Sequence, residues 1–493
     1  MSKLIKAFYF ATLMTCLDLH AAKYLLIAGG GGEALQDSNG KAITDTIFDR
    51  ELKNVSDYKK SNPQIKTKVM FNGGHSDTEK IVSENFTKKE IASTEFNSAD
   101  FKKYIKNLEW KIRNNKIKKG DQVLLYLSSH GAENQNGEKT HSIAVSGKET
   151  VNDFEKLNSN IISLDALTNL TRLARRKGIK LGIIDFSCHS GNTIKLRNPN
   201  TCVITSTGPN HFAYPSTNGS DFPSRFSANM KSGKSLEEIY LASREGFNDA
   251  SFPMISSPVG IDVQNDLYNK VSDYLQNFDF GSSKLATTIL NKTSQANICD
   301  DESSFNSLIT QIDELKNAVS EEAFSSSTFE KLKSDLKEYH KYIHDIKATL
   351  LSNGFEGLNR REKICPTNSY KFKSRVATNC LEYSQRDIMM MNYDESIKFM
   401  KNQRILNDEV LNDDLSMQVE VLEKFRKRSE ELKSQFPNIK SAKEILDDLP
   451  RKEEITMRLA REIAVGLQTV YKNRYQLKMA GDKRKNPCKN FVL

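Results

Sequence analysis

The first half of the chain alternates between two rhythms of apolar residues. Short, nearly unbroken apolar runs read as buried strands: KYLLIAGGGG from Lys23, KTKVMFNGG from Lys66, DQVLLYLSSHG from Asp121, IKLGIIDFS from Ile179 and NTCVITSTG from Asn200. Between them stand segments with helical spacing. These are DTIFDRELKNVSDYKK from Asp45, FKKYIKNLEWKIRNNKIKKG from Phe101, SLDALTNLTRLARRKG from Ser163 and FSANMKSGKSLEEIYLASREGF from Phe226. In the second of these, Phe101, Tyr104, Ile105, Leu108 and Ile112 share one helical face and Gly120 ends the pattern. In the third, Ser163 is the expected cap and Gly178 the stop. Alternating strands and helices predict an α/β domain over residues 23–267, with a mostly parallel sheet covered on both faces.

After about Leu267 the strand pattern disappears. A linker is expected over 268–300, with a joint at Phe278–Thr288, and an α-helical domain over 301–493. Phe329, Leu332, Leu336, Tyr339, Ile343, Ile346 and Leu350 follow a 3-4-3-4 spacing, which predicts a bundle face. Further helices are expected near 383–406, 416–434 and 452–477. No fixed-period repeat is visible.

Composition narrows the possibilities. The formal charge of +9 is spread along 493 residues without a basic arm or face, which argues against a nucleic-acid partner. The N-terminal stretch has Lys3 and Lys6, an apolar run from Ala7 to about Leu17, then Ala21 and Ala22. That order predicts a signal peptide over 1–22 and an exported protein, periplasmic or extracellular. Thr15 in LMTC is not the small residue expected before a lipidated cysteine, so no lipid anchor at Cys16 is expected. The apolar run is too short for a permanent membrane span, and no later segment is apolar for long enough. In an oxidising compartment, the four distal cysteines Cys299, Cys365, Cys380 and Cys488 are expected to form two disulfides within the helical half. No CxxC pair exists, so no zinc site or other metal is expected.

The glycines Gly29–Gly32 after the first strand do not complete a GxGxxG pattern and read as a tight turn. Two other strand ends carry chemistry. The third strand ends at His130-Gly131 and the fourth at Cys188, both at the carboxyl edge where parallel sheets bind ligands. If the strands are neighbours, an imidazole meets a thiol. The thiolate is the nucleophile, and imidazole can take or balance its proton. Gly131 and the Ser190-Gly191 turn let backbone N–H groups approach a developing oxyanion. A helix starting near Gly191–Asn192 would favour the thiolate. His75, after the second strand, is a weaker base candidate. His189 reads as surface decoration, and His141, His211, His340 and His344 have no comparable setting.

YLSSHG and IIDFSCHSG resemble the signature strand ends of the caspase-like (clan CD) cysteine peptidases, which include caspases, metacaspases, legumains and clostripain-type enzymes. SCHSG is similar to the metacaspase DSCHSG and to the legumain EACESG. The resemblance covers roughly residues 23–265. It implies a caspase–haemoglobinase fold, a His130–Cys188 dyad, and an oxyanion site at the backbone N–H groups of Gly131 and Cys188. It further implies cofactor-free endopeptidase action on a protein or peptide substrate through an acyl-enzyme, with His130 as general acid and base. In the family, the residue two before the cysteine lines the pocket for the side chain preceding the cut. Here that position holds Phe186, and the acid, Asp185, lies one place further back. Strand alternation then sets Asp185 on the face away from Cys188 unless a bulge intervenes. Asp49 and Arg50 are loose pocket candidates by position. Ser206, in the TSTGPN loop, is the expected pocket wall. Two other readings stay open: a catalytically inactive scaffold on the same fold, and a non-peptidase thiol amidase or acyltransferase.

Overall fold

A computed structural model describes residues 21–30, 46–71, 76–93, 96–132, 142–144, 161–209, 211, 213, 219–245, 251–277, 298–352, 361–366, 371–372, 375–376, 380–402, 409–435 and 439–493. The leader up to residue 20, Gly31, Gly32, His75, His141 and the joint at 278–288 lie outside the described residues. The chain divides into two compact units. One holds residues 1–34, 45–272 and 471–493; the other holds 35–44 and 273–470.

The first unit begins with β1 (Lys23–Gly30), α1 (Thr46–Lys60), β2 (Lys66–Phe71), α2 (Ser76–Asn85), β3 (Ile91–Ser93), α3 (Ser98–Arg113) and β4 (Gln122–Ser129). A small antiparallel sheet follows: β5 (Gly131–Ala132), β6 (Ser142–Ala144) and β7 (Ile161–Ser163). Then come α4 (Asp165–Lys177), β8 (Lys180–Phe186), a 3-10 turn (Ser190–Leu196), β9 (Thr201–Thr205), α5 (Phe222–Ala228), α6 (Leu236–Ser243), β10 (Met254–Ile255) and α7 (Pro258–Asn277), whose residues from 273 onward are counted with the second unit. The main sheet has the order β10-β9-β8-β4-β1-β2-β3, parallel except for β10. β1, β4, β8 and β9 are buried almost throughout, as continuous apolar runs between two helical layers must be.

Local chemistry sets the helices. Asn97 caps α3 by accepting from the Asp100 N–H at 2.8 Å, and the helix buries Phe101, Ile105, Leu108 and Ile112. Each such side chain contributes about 1.5–3 kcal/mol of burial. Gly178, at φ 69°, ends α4 in the left-handed conformation. The expected cap Ser163 is instead the last residue of β7, and α4 begins at Asp165. The segment from Phe226 forms two helices rather than one, separated around Gly233 at φ 81°. Ser235 and Glu238 then restart α6 with a reciprocal capping box.

The second unit contains α8 (Ile298–Ala323), α9 (Ser326–Ser352), β11 (Arg361–Ile364), β12 (Lys371–Phe372), β13 (Arg375–Val376), β14 (Leu381–Ser384), α10 (Gln385–Met390), α11 (Tyr393–Asn402) and α12 (Glu409–Gln435). The last helix, α13 (Ile439–Met479), runs on from this unit into residues of the first. Leu308, Ile312, Leu315 and Val319 of α8 and Phe329, Leu332, Leu336 and Tyr339 of α9 are buried, so the first four seam positions face a core. A second cluster joins Ile388, Met389, Tyr393, Ile397, Val421, Leu422 and Phe425. The strands β11–β14 depart from the all-helical expectation, and the helix expected over 383–406 is split between strand, α10 and α11.

Residues 471–493 belong with the α/β unit, not with the helical domain expected over 301–493. Cys488 is bonded to Cys202 of β9, and both are buried in the core. Phe491 and Leu493 are also buried. The Leu236 N–H donates to the Phe491 carbonyl at 3.0 Å and the Gly233 N–H to the Leu493 carbonyl at 2.8 Å. Of the two disulfides among the described residues, Cys365–Cys380 lies within the helical half, whereas Cys488 takes a partner from the first half of the chain. The side chain of Cys299 lies outside the described residues. Among the described residues, no helix is long and apolar enough to cross a membrane.

Candidate active site

The pairing of β4 with β8 builds the site. Tyr126 lies opposite Ile184 and Ser128 opposite Phe186, in continuous register to the end of β8. Strand alternation gives Tyr126, Ser128, Ile184 and Phe186 one face of the sheet. His130 follows β4 directly, and Cys188 follows β8 after a single serine.

The main chains of the two tips touch. A Cβ built on Gly131 would lie 2.0 Å from the Cys188 carbonyl oxygen and 2.7 Å from its nitrogen. Only glycine permits this approach, because any side chain would push the tips apart. His130 is half-buried, with Phe48 of α1 edge-on to its ring at 5.5 Å between centroids. Cys188 is half-buried and outside both disulfides. The Ala213 N–H points at its sulfur at 3.5 Å, a donor that favours negative charge there.

The chain reverses directly after the thiol. His189 is left-handed at φ 61°, and its N–H donates to the His211 carbonyl at 2.8 Å. This turn encloses His189, which is buried rather than surface decoration. Gly191 abuts the next strand loop; a Cβ there would stand 2.4 Å from the Pro209 nitrogen. The expected helix is a seven-residue 3-10 turn, Ser190–Leu196.

The expected pocket residues separate. Phe186 is spent on the core: its ring meets Tyr126 at 5.6 Å, Phe222 at 5.8 Å and Phe226 at 5.4 Å, all edge-on. Asp185 is fully buried on the opposite face, with no register shift in β8 to turn it toward the thiol. Its carboxylate accepts from the Ser187 hydroxyl at 2.5 Å and from the Thr193 hydroxyl at 2.5 Å. Ser206 is also fully enclosed. It donates to the Ser187 carbonyl at 3.1 Å, and its hydroxyl lies 3.2 Å from that of Ser190. It therefore braces the cysteine loop from behind instead of walling a pocket. Asp49 sits on α1 beside Phe48 and accepts a hydrogen bond from Thr78 of α2. Arg50 passes close to Gly219.

Sequence reading missed Glu51. It is fully buried beneath the site, and the Tyr126 hydroxyl donates to it at 2.9 Å. Burial, reinforced by Asp221, pushes its carboxyl up to about 8, against the opposing pull of Ser128, Tyr126 and Arg50. Burial likewise pushes the Tyr126 phenol far above its ordinary value, with Glu51 adding to the effect. The available signal was spacing: Glu51 falls among Phe48, Leu52 and Val55 on the apolar face of α1. Among the described residues, no group of three metal-ligating side chains is placed to hold an ion.

A half-exposed thiol, an imidazole and two touching backbone segments at the edge of a parallel sheet form a site suited to nucleophilic catalysis. Residues 54–264 match the sequence profile of the caspase domain, and the α/β unit is a caspase-like domain of the clan CD peptidase family. No curated protein matches the chain.

Proposed function

We propose that the protein is an exported cysteine endopeptidase in which Cys188 is the nucleophile and His130 the general acid and base. His130 takes the thiol proton, and the Cys188 sulfur attacks a peptide carbonyl, forming a C–S bond while the carbonyl electrons move onto oxygen. The backbone N–H groups of Gly131 and Cys188 receive that oxyanion. Collapse breaks the C–N bond, with His130 donating a proton to the leaving amine. Water, losing a proton to His130, attacks the thioester; the C–S bond breaks and the thiolate returns. The observation that carries this reading is the contact of Gly131 with the Cys188 backbone, which brings the two strand tips together. Export is supported by the order of the N-terminal residues and by two disulfides, which persist in oxidising compartments.

The test is hydrolysis of a fluorogenic peptide library by the full chain, together with labelling by a peptidyl electrophile. Cys188→Ala is expected to abolish both. His130→Ala is expected to lower kcat by about 100- to 10,000-fold, the range for general acid–base catalysis. Hydrolysis that survives Cys188→Ala overturns the proposal.

A further inference from the structure

We infer that Asp185 is a positioning residue that staples the Cys188 loop into the geometry of acyl transfer; this rests on Cys188 being the nucleophile. An acid is an expensive choice at this place. It sits within a buried strand, where an isolated carboxylate is strongly disfavoured. Its cost is offset by the two short O–H···O bonds it accepts, from Ser187 and from Thr193, because a buried polar group is tolerated where it is hydrogen-bonded.

The two donors bracket the thiol. Ser187, immediately before Cys188, binds one carboxylate oxygen, and Thr193, five residues after it, binds the other. One side chain therefore ties both ends of the segment that contains the left-handed turn at His189. A second layer grips the same segment from Ser206, the residue directly after β9. The Ser206 N–H donates to the Asp185 carbonyl at 3.2 Å, and its hydroxyl donates to the Ser187 carbonyl. The Cys188 backbone that results lies against Gly131. A displacement of the loop would move the sulfur and the Cys188 N–H together, relative to His130 and Gly131.

This role replaces a substrate-binding one. The Asp185 side chain is fully buried on the face opposite Phe186, so it cannot floor a pocket beside the thiol. It also explains the offset of the acid in DFSC. At position 185 the carboxylate reaches the ends of the loop, whereas at 186 it would face the aromatic cluster of Tyr126, Phe222 and Phe226.

The test uses the full chain with Thr193→Val, which deletes one donor at nearly constant shape, Thr193→Ser, which keeps it, and Asp185→Asn. Thr193→Val and Asp185→Asn are expected to lower kcat about 10- to 100-fold, the scale of a misplacement near 1 Å. KM should stay within about threefold and residue preference at the cleaved bond unchanged, while Thr193→Ser restores the rate. Hydrogen exchange across 186–193 should rise in Thr193→Val and not in Thr193→Ser. Unchanged kcat in both variants overturns the positioning role, and a changed residue preference overturns it in favour of substrate binding. Unchanged exchange across 186–193 removes the staple itself. A wild-type chain that hydrolyses no peptide overturns the peptidase reading instead, and the exchange data then report the staple separately.

Discussion

Gly131 takes no proton and forms no bond to substrate through a side chain, yet it is the residue at which the site tolerates least. Its missing Cβ is the space occupied by the Cys188 carbonyl. Gly131→Ala is expected to separate the tips of β4 and β8 and to lower kcat/KM at least about 100-fold. Alkylation of Cys188 by iodoacetamide should persist, which a peptide assay beside a labelling assay would show. Glu51 makes a different prediction. Its carboxyl is held protonated in the folded state up to about pH 8, while the unfolded chain loses that proton near its ordinary value of 4.5. The folded state therefore binds more protons across this window, and stability falls as pH rises through it, by up to about 1.4 kcal/mol per pH unit. Glu51→Gln does not titrate, so its melting temperature should decline less between pH 5 and 8 than that of the wild type. Equal slopes would exclude the effect. At this scale, His130, Gly131 and Cys188 were legible because each ends a strong apolar run. The opposite facing of Asp185 and Phe186 was legible from strand alternation. What each side chain meets was not: the enclosure of Ser206 and His189 depends on Ser206 and His211 bonding to Ser187 and His189 of the cysteine turn, contacts with no local signature.

Among elements, the buried strands were the easiest to read, since a strand covered on both faces needs an unbroken apolar run. The strands β11 and β14 were illegible for the opposite reason. Their residues are exposed or half-buried and none is buried, and β11, REKI, is mostly charged. Arg428 of α12 reaches β11 through a two-pronged contact with Glu362, with nitrogens 2.8 and 2.9 Å from the carboxylate oxygens, and the Cys365–Cys380 bond closes the hairpin region. Side-chain pairing and a cross-link hold this element more than apolar rhythm does. The C-terminal segment was misplaced because helical spacing continues through α13 without a break, although Tyr471 and Tyr475 are already buried in the α/β unit. There the Tyr475 hydroxyl bonds to Glu237, and the Asn486 amide donates to the same carboxylate at 2.8 Å. The Cys202–Cys488 bond closes a separation of 286 residues. In the chain-entropy description, a loop of that length contributes on the order of 5 kcal/mol. Replacing both cysteines by alanine should lower the melting temperature, and reductant should then have no further effect on the melting of this segment. A variant that melts with the wild type would show that packing alone holds it.

For the molecule as a whole, the order of units along the chain matters more than their composition. Residues 273–470 interrupt the α/β unit, and residues 471–493 complete it from beyond the interruption. A cut inside the interruption therefore divides the α/β unit between two polypeptides. Their union does not then depend on affinity, because Cys202 lies on one piece and Cys488 on the other. The tether keeps the segment at a high effective concentration beside α6, where Leu493 and Phe491 bond to Gly233 and Leu236. The place to cut is the turn between α8 and α9, where Ser325, Ser326 and Ser327 are exposed. A site-specific protease sequence inserted after Ser325 is expected to give, on cleavage, one species on an unreduced gel. Reduction should resolve it into a piece ending near Ser325 and another beginning near Ser326. Peptide hydrolysis should survive the cut before reduction, because β4, β8 and the completing segment all stay in one covalent assembly. Separate bands without reductant would exclude the Cys202–Cys488 tether. A single unreduced band whose activity vanishes on cutting would show instead that the helical half must be continuous for catalysis.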